Sequence, residues 1–490
     1  HLAWLGVDAL WICPVTVSPD DDWGYDVSDY LDVHPELGTL ADLDELIAEA
    51  KTRGLAVLLD LVPNHTSERH PWFVDSRSSL TSAHRDWYVW VDPKPDGSPP
   101  NNWLGTFGGP AWTLDEMTGQ SYLHNFLSSQ PDLNWWNQEV RDAFDEILRF
   151  WFDRGVAGFR IDVCHMIVKD AALRDNPPAT DEDHPYEQAH GQRKLYNADR
   201  PELHDVLRRW RRLADTYEPP RALVGETYLM DVGRLARFYG GGEELHLAIN
   251  FVLLHSRFEA GAISAIVEAT ESSIQAPATP AWVISSHDIS RSRTRWCRGR
   301  QDAARCALMA LLTLRGTAIL YYGDELAMPD TELSEGDLLD PVSQRRFPAP
   351  GRDQARTPMP WTADGGAGFT GAGNRPWLPI GDQQACNVSD QRDDPESTLH
   401  LCRDLLTLRR QRSDLRHGFY EALTSPPGIW AFRRGATTAV AINLSDDPLA
   451  FEGISGTVLL GTSRALDAQT LHGRLELAAL EGAVIELTAP

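Results

Sequence analysis

The 490-residue sequence has no run of about 18 or more apolar residues, so no membrane-spanning helix is expected. Positive charge is scarce: 45 Lys and Arg stand against 71 Asp and Glu, for a net charge of −26. That sign argues against nucleic acid or an anionic membrane surface as partner. The one dense basic run, RRWRR at 208–212, lies in a helical segment and reads as a solvated helix face. Cysteine is sparse, six residues at 13, 164, 297, 306, 386 and 402 without a CxxC pair. They read as reduced, individually buried thiols of a cytoplasmic protein, with Cys164 a core residue and no nucleophile. HExxH, a glycine-rich phosphate loop, Cys/His ligand spacing and a GxSxG elbow are all missing, so metal hydrolysis, nucleotide chemistry and a serine nucleophile have no motif to rest on. No metal ligand set and no required cofactor are expected.

What is present is an alternation. Short apolar runs recur at 7–15, 55–65, 158–163, 221–227, 245–251, 281–288 and 317–325, each ending in polar residues, and helical patterns separate most of them. Before the second run, Leu43, Leu46, Ile47 and Ala50 share one helical face, with Gly54 as the stop. Before the third, Val140, Phe144, Ile147, Leu148 and Trp151 do the same, with Gly155 as the stop. Strand alternating with helix in near-continuous apolar runs means a parallel sheet covered by helices. Seven such strands point to an α/β fold, a (β/α)8 TIM barrel whose first strand is missing, because HLAWLGVDAL opens as the end of a helix running into a strand. The expected organisation is a catalytic barrel over 1–65 and 137–417, an inserted subdomain over 66–136 after the third barrel strand, and a C-terminal antiparallel β-sandwich over 418–490, where helices cease.

In the run GFRIDV, Arg160 and Asp162 sit two apart and therefore on one strand face. Asp60, with Asn64 and His65 beyond it, Asp162, Glu226, and the pair His287 and Asp288 fall where four strands end, the face on which barrels of this kind carry their sites. A single carboxylate there is often only a helix cap. Coincident caps would need neither the histidines nor Arg160. Paired carboxylates, one ionised and one protonated, are the machinery of glycoside hydrolysis. Arg160, beside Asp162, favours its ionised form.

DLVPNHTS (60–67), GFRIDV (158–163), GETY (225–228) and SSHD (285–288) resemble, in order, the four best-known motifs of the α-amylase superfamily, glycoside hydrolase family 13. QPDLNW (130–135), SPDDDWGYDVSDY (18–30), FGGPAW (107–112) and GRDQARTPMPW (351–361) resemble its oligo-1,6-glucosidase and α-glucosidase branch. The resemblance implies Asp162 as nucleophile, Glu226 as general acid/base and Asp288 as the third carboxylate, stabilising the transition state. It implies that His65 and His287 bind hydroxyls of the cleaved sugar, that Arg160 and Asp60 support that subsite, and that Tyr25 stacks on the ring. Asp22 and Arg352, with Arg356, would fix the non-reducing end and make the enzyme exo-acting, and Phe107 would line the next subsite.

The implied activity is retaining hydrolysis of terminal α-linked glucose from short oligosaccharides or other α-glucosides, by a monomer or homodimer with no nucleic-acid or membrane partner. Transfer to another sugar on the same site, as in a sucrose isomerase or trehalose synthase, is the first rival. A non-catalytic barrel of the transporter-associated type is the second, and the three retained carboxylates oppose it. The loop in which this branch often holds structural Ca2+ or Mg2+ follows the family's first strand and has no counterpart here. Ser286 stands where the family usually has Asn, which is expected to loosen the hydrogen bonding around His287 and weaken activity without abolishing it. Val163 resembles members that accept α-1,6 links, and the choice between α-1,4, α-1,6 and sucrose stays open.

Overall fold

The computed structural model describes residues 1–344 and 351–488. The chain falls into two compact units, one of Asp8–Ile249 and one of His1–Val7 with Asn250–Pro490.

In the first unit, β1 (Ala9–Ile12), β2 (Ala56–Leu61), β3 (Gly158–Ile161), β4 (Ala222–Gly225) and β5 (Leu247–Asn250) pair in chain order, each parallel to the next. All five lie in runs read as strands from the sequence. The segments between them supply α1 (Leu40–Thr52), α2 (Gln138–Asp153) and α3 (Leu203–Ala214). A Thr39/Asp42 capping box starts α1, and Gly54, at φ 74°, follows its end. It buries Leu43, Ile47 and Ala50. Leu46, expected on that face, is exposed, because the buried stripe is narrower than the apolar pattern. The α2 stripe is buried as expected, with Phe152 added. On α3, Trp210 is fully buried while the flanking arginines form ion pairs: Arg208 with Glu244, Arg209 with Asp145 and Arg211 with Asp215. The basic run is therefore a paired face, more than a merely solvated one.

β3 is fully buried, whereas β1, paired among the described strands with β2 alone, is partly exposed. The same edge leaves Cys13 exposed, against expectation; the other five cysteines are buried, and none of the six is in a disulfide. Gly158 is required by the packing of β3 on β4: a Cβ there would meet the Ala222 carbonyl oxygen at 2.3 Å. Two features follow β1 and β2. Thr16–Val17 pairs with Asp29–Val33 in a small antiparallel ribbon the sequence did not announce. Residues 66–136 hold the helix Pro71–Ser78 and a three-stranded sheet with Ser121–Leu123 at its centre, over a core of Trp103, Ala111, Trp112 and Leu123.

The second unit carries β6 (Ala281–Val283), parallel to β7 (Thr317–Ile319), and the helices α4 (Ala260–Ser273), α5 (Gln301–Thr313) and α6 (Thr398–Gln411). Tyr420–Ala422, Ile429–Arg434, Thr438–Asn443, Leu449–Gly461, Thr470–Leu477 and Gly482–Leu487 form a six-stranded antiparallel sheet. Its side chains alternate between two cores: Ile429, Ala431, Ala439, Ala441 and Ile485 on one face, and Trp430, Phe432, Val440, Ile442 and Val484 on the other, packed with α5 and α6. Among the described residues no helix is long and apolar enough to cross a membrane.

Candidate active site

Register brings the first cluster together. Asp60 of β2 pairs in line with Arg160 of β3, and Ile161 of β3 with Gly225 of β4. The residues after that last pair are Asp162 and Glu226, whose backbone N–H groups continue the ladder onto the Leu61 and Ile161 carbonyls at 2.8 and 2.9 Å. Two carboxylates thus leave the C-terminal edge of neighbouring parallel strands side by side. Gly225 clears the ground beneath: a Cβ would meet Leu245 Cδ1 at 2.4 Å.

Arg160 binds three carboxylates at once. Its Nη1 donates to Asp60 Oδ1 and Asp162 Oδ1, both at 2.7 Å, and Nη2 lies 2.7 Å from Glu226 Oε2. The expected pairing with Asp162 is present, and β3 points Arg160 between both neighbouring strands so that Asp60 and Glu226 share it. Asp60 is further held by Tyr25 Oη and Trp11 Nε1, donating to Oδ2 at 3.0 and 3.1 Å. Burial raises the pKa of Asp60, and Arg160 opposes this. For Arg160 itself burial disfavours the charge, but Asp60 and Glu226 outweigh it and hold the guanidinium firmly protonated.

Glu226 Oε2 accepts a second bond, 2.7 Å from the Val163 N–H. Val163 takes the left-handed conformation, φ 34° and ψ 44°, which a β-branched residue rarely adopts. That turn stops β3 and aims the N–H at the carboxylate. Cys164 behind it is buried, and burial pushes its thiol pKa well up, as a core residue's should be.

His65 lies in a buried network. Asn64 Nδ2 donates to His65 Nδ1 at 3.0 Å and to Asp132 Oδ1 at 3.1 Å, leaving His65 Nε2–H to donate to the Tyr25 carbonyl at 3.0 Å. Burial lowers its pKa, consistent with this neutral tautomer. Lys169 closes the network, 2.7 Å from Asn64 Oδ1 and 2.8 Å from Asp132. Asp22 accepts from Gln130 Nε2 at 3.1 Å. Phe107 packs on Phe126, in the patch that includes Val163 and Met166.

The second unit holds Asp288. Its Oδ1 accepts from Arg352 Nη1 at 3.2 Å and Arg356 Nη2 at 3.0 Å, and His287 Nε2 is 3.2 Å from Oδ2. Arg356 Nε also donates to the His287 carbonyl at 2.7 Å. Arg352 is itself aimed by the fully buried Asp340, at 2.8 Å. Ser286, the departure from the family pattern, accepts the Asp288 N–H on its Oγ at 3.2 Å and so tightens the turn that presents the carboxylate.

Trp11, Gln130, Asp132 and Lys169 were not singled out from the sequence. Gln130 and Asp132 stood inside the quoted QPDLNW stretch as polar residues between apolar ones; Trp11 and Lys169 gave no signal.

Known proteins resemble this chain in sequence and fold. The alpha-amylase catalytic-domain family matches residues 1–418. A probable alpha-glucosidase of Rhizobium meliloti (strain 1021) is 42% identical over 452 residues, 89% of this chain and 81% of its own length. An oligo-1,6-glucosidase of Heyndrickxia coagulans is 35% identical over 98% of this chain and 92% of its own. Among solved structures, an alpha-glucosyl transfer enzyme, XgtA, superposes with a TM-score of 0.91 at 39% identity, over 99% of this chain and 93% of that one. The trehalulose synthase MutB from Pseudomonas mesoacidophila MX-45 gives 0.90 at 30% identity over the same shares. The fold they share with this chain is the (β/α)8 barrel with a C-terminal β-sandwich. The chain belongs to the α-amylase family of glycoside hydrolases, on its oligo-1,6-glucosidase and α-glucosidase branch.

Proposed function

We propose that the protein is a retaining, exo-acting α-glucosidase that releases terminal α-linked glucose from short oligosaccharides. The observation that carries this is the sharing of one guanidinium by Asp162 and Glu226, 2.7 Å from each. A retaining enzyme needs its two carboxyls about 5–5.5 Å apart, and a common small partner suits that spacing better than the wider gap of an inverting site. In this reading Asp162 attacks the anomeric carbon as Glu226 protonates the departing oxygen, giving glucosyl-Asp162. Glu226 then takes a proton from water, which displaces Asp162 and releases α-glucose. Asp288, held by Arg352, Arg356 and His287, is the third carboxylate. Asp22, Tyr25, Asp60, His65 and Arg160 hold the glucose, and Phe107 lines the next subsite. The reaction needs no cofactor, and six cysteines without a disulfide suit a cytoplasmic setting.

Transfer to a sugar acceptor is a second reading, favoured by the likeness to the glucosyl transfer enzyme and the trehalulose synthase. The ratio of transfer to hydrolysis products at high sugar concentration separates the two.

The test is hydrolysis of p-nitrophenyl α-glucoside, with maltose, isomaltose and sucrose beside it. The expected first product by NMR is α-glucose, and Asp162→Ala lowers kcat by about 10⁴-fold or more. β-Glucose as first product, or a fully active Asp162→Ala protein, refutes the assignment.

A further inference from the structure

The segment 176–198, between β3 and α3, is closed on itself. Asn176 Oδ1 accepts the N–H groups of Leu195 and Tyr196 at 3.1 and 3.0 Å, and Pro178 bridges to Gln192. It is tied to the Asp132 network through Asn176 to Asn197 at 2.9 Å and Asn197 to Asn125 at 2.8 Å. Lys194 lies at that closure, half-buried, with its Nζ donating to Thr106 Oγ1 at 3.0 Å. Among the described residues that hydroxyl is its one hydrogen-bond partner, and no carboxylate is within ion-pair distance.

The charges around it are already committed. Asp132, which acts on Lys194 from farther off, is ion-paired to Lys169 at 2.8 Å. Arg234 is paired with Asp199 at 2.8 Å. His165 and His190, which feel the lysine's charge, have pKa values driven by burial to about 3 and about 4 and are neutral. Lys194 is thus an uncompensated cation in a chain of net charge −26.

Its position relates to the chemistry. Thr106 adjoins Phe107, which packs in the patch containing Val163, and the Val163 N–H binds Glu226. With Glu226 as the acid that protonates the leaving oxygen, this wall faces the aglycone. We propose that Lys194 is a specificity-determining residue of the aglycone subsite, selecting α-glucosides or transfer acceptors that carry an anionic group such as a carboxylate. The inference rests on the reading of Glu226 given above. Burial draws the lysine's pKa down to about 8, so a docked anion restores favour to an ammonium that the fold leaves undercompensated.

The test compares 4-carboxyphenyl α-glucoside with its neutral analogue, 4-carbamoylphenyl α-glucoside. The expected result is a kcat/KM ratio favouring the carboxylate in the wild type, falling about 10-fold in Lys194→Gln and kept in Lys194→Arg. The preference also fades above about pH 8, where the lysine loses its proton while the benzoate stays charged. A ratio unchanged by Lys194→Gln overturns the inference and leaves the α-glucosidase reading intact. Failure to cleave either glucoside refutes the hydrolytic reading and the inference with it.

Discussion

Arg160 is the residue on which most charge depends, since Asp60, Asp162 and Glu226 all bind it in a nearly dry environment. Removing it in Arg160→Met leaves buried carboxylates without a counter-charge, a change that costs about 3–5 kcal/mol. Urea unfolding is expected to show that loss at neutral pH. The loss should shrink as pH falls, because Asp60, whose pKa burial already raises, can then relieve its charge by taking a proton. The motif residues around Arg160 were legible because each sits at a strand end within an unusual local pattern, polar inside apolar. Trp11 and Lys169 were not: Trp11 meets Asp60 from 49 positions away and Lys169 meets Asn64 from 105, and nothing local marks such pairs. Ser286 was legible as a departure; the hydrogen bond from the Asp288 N–H to its hydroxyl was not, because it depends on the local turn.

Among the elements, the helix Pro71–Ser78 has a cap that must stay neutral. His70 Nδ1 accepts the Trp72 N–H at 3.1 Å, and a protonated ring could not. Burial, aided by the charge of His84, lowers its pKa from 6.5 to about 3. Between those values the unfolded chain takes up a proton that the folded chain refuses, so stability falls as pH drops from about 6.5 toward 3. His70→Asn keeps a capping oxygen and removes the titration. Its denaturation midpoint should lose less than the wild type's between neutral pH and about pH 4.5. The strands themselves were readable from their continuous apolar runs, which two-sided burial demands. The ribbon of Thr16–Val17 and Asp29–Val33 was not, because one of its strands is only two residues long and has no period to read.

At the scale of the molecule, the net charge of −26 implies self-repulsion that salt relieves. Thermal melts are expected to shift upward between about 10 mM and about 0.5 M NaCl, because exposed ion pairs lost to screening are individually weak. A downward shift would mean that the many arginine–carboxylate pairs outweigh the net charge. The barrel class was readable from the alternation of strands and helices. The parting of the chain at 7/8 and 249/250 was not: Gly6, at φ 96°, precedes the first point but read only as a helix end, and no glycine, proline or charge run marks the second.

The sheet at the C-terminal end has a consequence for synthesis. Helix α5 is buried from Ala303 to Thr313 with little relief, and the strands Ile429–Arg434, Thr438–Asn443 and Gly482–Leu487 supply part of its cover. During translation α5 emerges first and waits for those strands, the last at Leu487, roughly 10–35 s later at ordinary elongation rates. For that interval the growing chain presents an apolar helix with no finished partner, which makes the stretch of message encoding residues 314–487 the one where slow codons, early termination or a shortage of chaperones would cost the most protein.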